Sequence, residues 1–473
     1  MLMVSNLICQ ALGVVATIRI ARILMPHRYG LYGLVQTIAS LGVVFAGIGL
    51  RNVAIRECAR HPEESTRIFN KTLVVRIFSL IIIGIGILLY AQFGHSPINF
   101  TLSVSAIVLL IGLSCWELVE NIAFGQERME YSAIINLLGS ILWVGMVCSV
   151  PAHWFNPVNV SFAFAFLQII KAVGYLIGLY HVGLLFSNSP TTTSGNLSYQ
   201  NLLKQSLPFY WLAILTSFIT QLPILFLVKR SGEAEVGLYN AGFRLVNPMQ
   251  LALSTALMAL YPGLAQAGLN NPNKFMSMLR RSLYSITILG TIGAMLISLF
   301  RKEVVLLLFG HAYLPAGDAM AYQCWYLALL GIYSVIGTNL AARDKQKLLA
   351  GLSTCYAILA IPVLWWGAGK GATGLAMAIV MAAIVNMPYH WIFFQKTLPQ
   401  SLSSGLILRL CIILGIGMFI SMIIPQNFPL IWRAVLGIGL LGFLGFRIRK
   451  EILTRVFSPP LEKEKPKWIF SEQ

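Results

Sequence analysis

Long apolar runs, separated by short polar connections, fill almost the whole chain. The runs are about 18–25 residues long, the length of an α-helix that crosses a hydrocarbon core of roughly 30 Å. Alternating ten-residue strands, which would indicate a membrane β-barrel, do not occur. The pattern predicts an all-α polytopic membrane protein with about 14 transmembrane helices. The predicted spans are 2–24, 31–50, 73–93, 102–124, 132–151, 160–186, 205–228, 238–262, 282–300, 317–341, 349–366, 372–394, 405–424 and 429–446.

Composition agrees with the membrane class, because hydrophobic residues make up 57% of the chain and charged residues only 11%. The net charge of +18 is spread unevenly over the predicted connections. With a cytoplasmic N-terminus, the outer side holds few cations: Arg28, Lys229, Arg230, Arg301, Lys302 and Lys370. An excess of Lys and Arg on the inner side is typical of cytoplasmic loops, so both termini are predicted to be cytoplasmic. The excess of basic residues is therefore explained by the orientation of the protein in the cell membrane. It gives no reason to expect a nucleic-acid partner.

An internal repeat divides the chain. Gly30-Leu-Tyr after the first span matches Gly237-Leu-Tyr after the seventh, and a turn at Gly125 after span four matches one at Ala342 after span ten. Each half has six spans, an even number, which predicts two six-helix lobes related by an axis along the membrane normal. Two C-terminal helices fall outside the repeat. The predicted units are the N-terminal lobe 1–186, a cytoplasmic linker 187–203, the C-terminal lobe 204–395, the two additional helices 396–450 and a basic cytoplasmic tail 451–473.

Several motifs carry a resemblance that extends over nearly the whole chain. They are Ala21-Arg-Ile-Leu, Tyr29-Gly-Leu-Tyr, the small turn at Gly125, Phe309-Gly-His-Ala-Tyr and Lys370-Gly-Ala-Thr-Gly-Leu-Ala. With them the chain resembles the multidrug/oligosaccharidyl-lipid/polysaccharide (MOP) exporter superfamily, and within it the Wzx-type flippases of polysaccharide biosynthesis. The resemblance implies movement of an undecaprenyl-diphosphate-linked oligosaccharide from the cytoplasmic to the outer leaflet. It also implies that the arginine at the Arg22 position faces the cavity.

Four of the cations within predicted spans are taken as candidate ligands of an anionic substrate. Lys171 is about eleven residues into span six, too deep to reach the headgroups easily, and a lysine facing lipid there costs at least about 2.5–3.5 kcal/mol. Arg19, Arg22 and Arg244 offer forked donors that suit phosphate oxygens. The alternatives are that Lys171 forms a structural ion pair, for example with Glu117, and that Arg22 and Arg244 extend to the outer headgroups.

Acidic and amide side chains in the spans form a second candidate set. Glu117 and Glu120 share a face of span four and are candidates for ion coupling, with a structural role as the alternative: Glu117 as partner of Lys171 or Arg19, and Glu120 paired with Arg128. Gln168, Asn247 and Gln250 are candidate sugar contacts, although amides also join helices to one another. No cofactor, metal site or catalytic residue is expected, and the coupling ion is left open between proton and sodium.

The leading hypothesis is a non-enzymatic flippase that works by alternating access. Its partners would be a polyprenyl-diphosphate-linked glycan, membrane lipid and the polysaccharide polymerase machinery. A cation-coupled multidrug exporter of the same superfamily and a lipid II-type flippase are the alternatives. A membrane polymerase or ligase is disfavoured because no predicted outer connection exceeds about twenty residues, and an ATP-driven pump because no GxxxxGK[ST] loop occurs.

Overall fold

The computed structural model describes residues 2–93, 99–181, 199–270, 272–343, 345–398 and 404–424, with the isolated residues 429, 433, 439 and 442. The regular secondary structure of these residues is helical, without strands. The first half contains α1 (Leu2–Gly47), α2 (Leu50–Arg60), α3 (Ser65–Phe93), α4 (Phe100–Gly125), α5 (Met129–Ser149) and α6 (Pro157–His181). The second half contains α7 (Tyr199–Ser231), α8 (Glu233–Asn270), α9 (Pro272–Leu299), α10 (Arg301–Phe309), α11 (Ala316–Ala342), α12 (Gln346–Ala368), α13 (Gly371–Gln395) and α14 (Ser404–Ile423).

The helices have the length and surface of membrane-spanning elements. In the described part of the chain, ten of them are long and apolar enough to cross a bilayer. Large apolar side chains face outwards at high exposure, for example Phe78 at 66%, Ile82 at 70% and Phe419 at 68%. Apolar surface of this extent is tolerated in lipid and is rare on a water-soluble monomer. The predicted all-α polytopic membrane protein is confirmed.

The helix α1 contains the first two predicted spans. They join at Met25, whose backbone is not helical (φ 60°, ψ 165°), and Pro26 follows. A proline has no N–H to donate and disfavours helical geometry at the residue before it, which explains the break at this position. The chain therefore passes along α1 in two segments, residues 2–24 and 26–47, with a sharp change of direction between them.

The helices before and after the predicted linker form a first group, α1 to α6, and a second group, α7 to α14. In the first, α4 packs on α6, and α1 on α4 and α5; in the second, α11 packs on α8, α9 and α13, and α12 on α7 and α13. The interface of α1 with α8 joins the groups. The axis relating the two lobes stays a prediction. The predicted fourteenth span, the linker before Tyr199 and the tail 451–473 lie outside the described residues, apart from the isolated positions above.

Candidate functional site

Side chains from both helix groups surround one cavity of about 250 Å³, which we call the cationic cavity. Its walls come from both segments of α1, from α5 and α6, and from α8 of the second group. Two cations line it, and no carboxylate of the described residues does. The lining residues are Cys9, Gln10, Gly13, Thr17, Ile20, Tyr32, Gln36, Gly139, Ser140, Trp143, Phe164, Leu167, Gln168, Lys171 and Arg244.

Lys171 reaches the cationic cavity from α6. Its Nζ donates to Gln168 Oε1 at 3.0 Å and lies 4.1 Å from the centre of the Trp116 ring. Gly139 on α5 leaves room for the aliphatic part of the side chain, since a Cβ at that position would lie 2.6 Å from Lys171 Cδ. A neutral amide and a ring face stabilise an ammonium without cancelling its charge. Lys171 therefore presents its ammonium group to the cavity, and the carboxylate of Glu120 acts on that group electrostatically.

Arg244 reaches the same cavity from α8, in the other helix group. Its Nη2 donates to Gln36 Oε1 at 2.7 Å, and Gln36 Nε2 donates in turn to the Tyr32 hydroxyl at 2.8 Å. These contacts link α8 to the second segment of α1. Because Gln36 is uncharged, it orients the guanidinium and leaves its charge in place. The structure thus brings together three of the candidates, namely Lys171, Gln168 and Arg244.

Arg19 and Arg22 lie elsewhere, at the ends of helices. Arg19 Nη2 donates to Val150 O at 3.3 Å, directly after α5. Arg22 Nε donates to Leu308 O at 2.6 Å and its Nη2 donates to Leu307 O, in the last turn of α10. Carbonyls at a helix C-terminus lack helical partners and carry partial negative charge, so they attract arginine. Neither residue lines the cationic cavity in this conformation, and a role in substrate binding stays a prediction for both.

The two acidic candidates have different partners. Glu117 forms an ion pair with Arg76 of α3, a residue that is only 5% exposed. The alternative in which Glu117 pairs with Lys171 or Arg19 is therefore wrong, because its side chain turns towards α3. Glu120 Oε1 accepts from Ser132 Oγ at 3.0 Å, which is the contact found in place of the expected one with Arg128. A coupling role stays a prediction for both acids.

Asn247 and Gln250 line a second cavity, which we call the aromatic cavity. It has about 560 Å³ and lies among α7, α8, α11, α12 and α13. Among the described residues, its lining carries no charged side chain. Aliphatic side chains form more than half of the lining. The aromatic rings and amides among the rest are Phe218, Gln221, Tyr239, Phe243, Asn247, Gln250, Tyr326 and Tyr356.

The two helix groups close tightly beyond the cationic cavity, near the break in α1. A Cβ at Gly30 would fall on the Glu233 carbonyl, and a Cβ at Gly237 would fall on the Pro26 carbonyl. Only glycine allows the backbones of α1 and α8 to approach this closely. Tyr313 adds a hydrogen bond from its hydroxyl to Ala21 O at 2.8 Å. The backbones of α1 and α8 are therefore in direct contact at this end of the interface.

Tyr32, Gln36 and Trp116 belong to the site, although the sequence did not single them out as ligands. Tyr32 lies in the repeated Gly-Leu-Tyr marker, and Gln36 follows one helical turn later on the same face. That spacing offered a signal for Gln36. Trp116 gave none, because a tryptophan in an apolar run is usually a packing residue.

Comparison with known proteins gives a family and several relatives. The family described as polysaccharide biosynthesis protein matches residues 1–267, more than half of the chain. A "Putative O-antigen transporter" of Escherichia coli (strain K12) is 20% identical over 386 residues, which cover 78% of this chain and 90% of that protein. The "Lipopolysaccharide biosynthesis protein WzxC" of the same strain is 23% identical, covering 81% of this chain and 77% of that protein.

Solved structures show the same fold at low sequence identity. "Lipid II flippase MurJ, inward closed conformation" aligns with a TM-score of 0.69 and 14% identity, over 96% of this chain and 99% of that one. An inward-facing "multidrug resistance MATE family transporter of the MOP superfamily" aligns with a TM-score of 0.61 and 16% identity, over 82% of this chain and 95% of that one. The resemblance to the MOP superfamily and its Wzx-type members is confirmed.

Proposed function

We propose a transport function from the premise that the chain belongs to the polysaccharide biosynthesis protein family. The protein is a flippase that moves polyprenyl-diphosphate-linked oligosaccharide repeat units from the cytoplasmic to the outer leaflet. It works in the cell membrane with both termini in the cytoplasm, and it catalyses no covalent chemistry. Its product would supply the polysaccharide polymerase machinery on the outer surface.

The observation that carries this proposal is the convergence of Lys171 and Arg244 on one cavity. They come from opposite helix groups, and no carboxylate of the described residues lines the cavity beside them. Lysine and arginine donors bind phosphate oxygens through charge-assisted hydrogen bonds. A diphosphate head can enter such a cavity while its polyprenyl tail stays in lipid. A cationic drug would meet two like charges there, which argues against the multidrug alternative.

The close contact of α1 with α8 supports an alternating-access mechanism. With a cytoplasmic N-terminus, the break at Met25 lies on the outer side, so the close approach of Gly30 and Gly237 blocks exit to the outer leaflet. The conformation described here would then be one in which substrate enters from the cytoplasmic side. Release requires the two helix groups to separate at this contact, which also breaks the bonds from Arg22 to α10.

Charge removal at Lys171 tests the function. In cells lacking the native gene, Lys171→Gln should lower surface polysaccharide about tenfold or more at unchanged protein abundance, because a phosphate contact is lost. Lys347→Gln is the matched control, since Lys347 is an exposed lysine at the start of α12. Surface polysaccharide is measured by gel and by sugar analysis of the cell envelope, and accumulation of lipid-linked repeat units is expected to accompany its loss.

Two outcomes would count against the proposal. Undiminished export with Lys171→Gln would remove Lys171 from the site. Rescue of cells depleted of their lipid II flippase, without any effect of gene deletion on surface polysaccharide, would favour the lipid II alternative instead.

A further inference from the structure

The two cavities occupy equivalent places in the internal repeat. Tyr32 in the first Gly-Leu-Tyr marker lines the cationic cavity, and Tyr239 in the second lines the aromatic cavity. Four residues later, Gln36 lines the first cavity and Phe243 lines the second. Equivalent positions of the second helix in each predicted lobe thus face equivalent cavities.

The second marker pair gives the same result independently. Gly139 follows the turn at Gly125 by the same number of residues as Tyr356 follows the turn at Ala342. Gly139 lines the cationic cavity, where it makes room for Lys171, and Tyr356 lines the aromatic cavity. Repeated segments of a transporter are expected to build paired sites of this kind. The repeat has kept the position of the cavity in each half and changed its chemistry.

The chemistry of the aromatic cavity suits an uncharged, hydroxyl-rich ligand. The rings of Tyr239 and Phe243 are stacked, with centres 6.4 Å apart and planes 7° from parallel. The negative face of an aromatic ring attracts C–H groups such as those on the faces of sugars. The amides of Asn247 and Gln250 both donate and accept hydrogen bonds, as sugar hydroxyls require. A volume of about 560 Å³ lies within the range of small-molecule pockets, about 300–1,000 Å³.

We propose that the aromatic cavity is a glycan subsite, separate from the cationic cavity that receives the diphosphate. This inference rests on the proposed flippase function. Consecutive residues of α8 connect the two subsites, because Phe243 lines the aromatic cavity and Arg244 lines the cationic one. A sugar joined directly to a diphosphate can therefore contact α8 with both parts. Specificity for the repeat unit resides in the second helix group, and affinity for the common diphosphate in the first group together with Arg244.

Binding of the two halves of the substrate, measured separately, tests the proposal. The full chain in lipid nanodiscs is titrated with inorganic diphosphate and, separately, with the oligosaccharide released by mild acid from the host's own lipid-linked repeat units. Phe218→Leu and Phe243→Leu should each weaken oligosaccharide binding about tenfold and leave the diphosphate affinity within about twofold, because only the ring is removed. Lys171→Gln should do the reverse. Phe419→Leu is the matched control, since Phe419 is 68% exposed on α14.

Phe218 is 40% exposed, so its substitution disturbs packing least and keeps the test valid if Phe243→Leu fails to fold. The proposal is overturned if the wild-type protein does not bind the oligosaccharide, if neither ring substitution weakens that binding, or if Lys171→Gln weakens it as much as they do. A failure of this inference alone leaves export dependent on the gene and on Lys171. A failure of the proposed function removes that dependence as well.

Discussion

Lys171 and Arg244 line the cationic cavity, and their hydrogen-bonding partners are uncharged. Uncharged partners leave both cations able to bind an anion in the cavity. Gln168 and the Trp116 ring hold the ammonium, and Gln36 holds the guanidinium. Arg76 differs from these two cations, because the carboxylate of Glu117 neutralises its charge in an ion pair. A buried pair of that kind fixes helices to one another, whereas cations held by amides keep their charge for an incoming anion.

Replacement of Arg244 by lysine separates charge from geometry. Arg244→Lys keeps the positive charge but loses the forked donors that bind an anion and the Gln36 amide together. We expect the affinity for inorganic diphosphate, measured by calorimetry in nanodiscs, to fall by about tenfold. The exposed Arg281→Lys on α9 should leave it unchanged. An affinity for Arg244→Lys equal to that of the wild type would mean that Arg244 contributes only as a point charge or does not touch the anion.

The break in α1 is the element on which the shape of the site depends. Because the chain turns at Met25, residues of both segments of α1, such as Thr17 and Gln36, face the same cavity. The turn requires a left-handed φ of 60° from a residue that carries a side chain. Such a conformation costs of order 1–3 kcal/mol for a residue other than glycine, and Met25 is 51% exposed, so its side chain recovers little of this by packing.

Met25→Gly should therefore stabilise the protein. Removing the side chain at a left-handed position relieves the strain, and we expect the free energy of unfolding to rise by about 1 kcal/mol. Thermal unfolding in detergent, followed by tryptophan fluorescence, measures the change. Ala163→Gly in the regular part of α6 serves as the control and should lower stability by about 1 kcal/mol. A decrease for Met25→Gly similar to that of the control would show that this position carries no strain.

Elements with a strong apolar pattern were predictable from the sequence, and those without it were not. The apolar runs predicted spans within α1, α3 to α9 and α11 to α14. Several of these helices extend past the predicted spans into polar ends, since backbone hydrogen bonds do not require apolar side chains. The helix α2 lies in a stretch assigned to a cytoplasmic connection, although Leu50, Val53, Ala54 and Cys58 are buried on one face. The helix α2 has only eleven residues and few apolar ones, so hydropathy could not identify it as a membrane-spanning helix.

At the scale of the whole molecule, the composition of the site depends on how the helices are placed relative to one another. Sequence patterns do not contain this information. Lys171 was predictable as a cavity residue because a lone cation in a span needs a polar environment. The placement of Arg19 and Arg22 at helix ends depends on where α5 and α10 stop relative to α1, which is a tertiary property. The separation of Asn247 and Gln250 from Lys171 likewise depends on α8 standing between two cavities.

The balance of charge across the two lobes leads to a prediction about membrane potential. A diphosphate diester carries roughly two negative charges, and the cytoplasm is electrically negative. Moving these charges out of the cytoplasm is favoured by about 2.3 kcal/mol per charge per 100 mV, or about 4–5 kcal/mol for both charges at 100 mV. Lys171 and Arg244 would travel with the head and cancel that gain, so the voltage-dependent step becomes the return of the empty, positively charged cavity. We expect transport in proteoliposomes to change with an imposed potassium-diffusion potential, and Lys171→Gln to weaken this dependence. Equal wild-type rates with and without the potential would mean that the two cations do not move across the membrane potential. If they did move, the loaded cavity would be close to neutral but the empty cavity would be positive, and its return would depend on voltage.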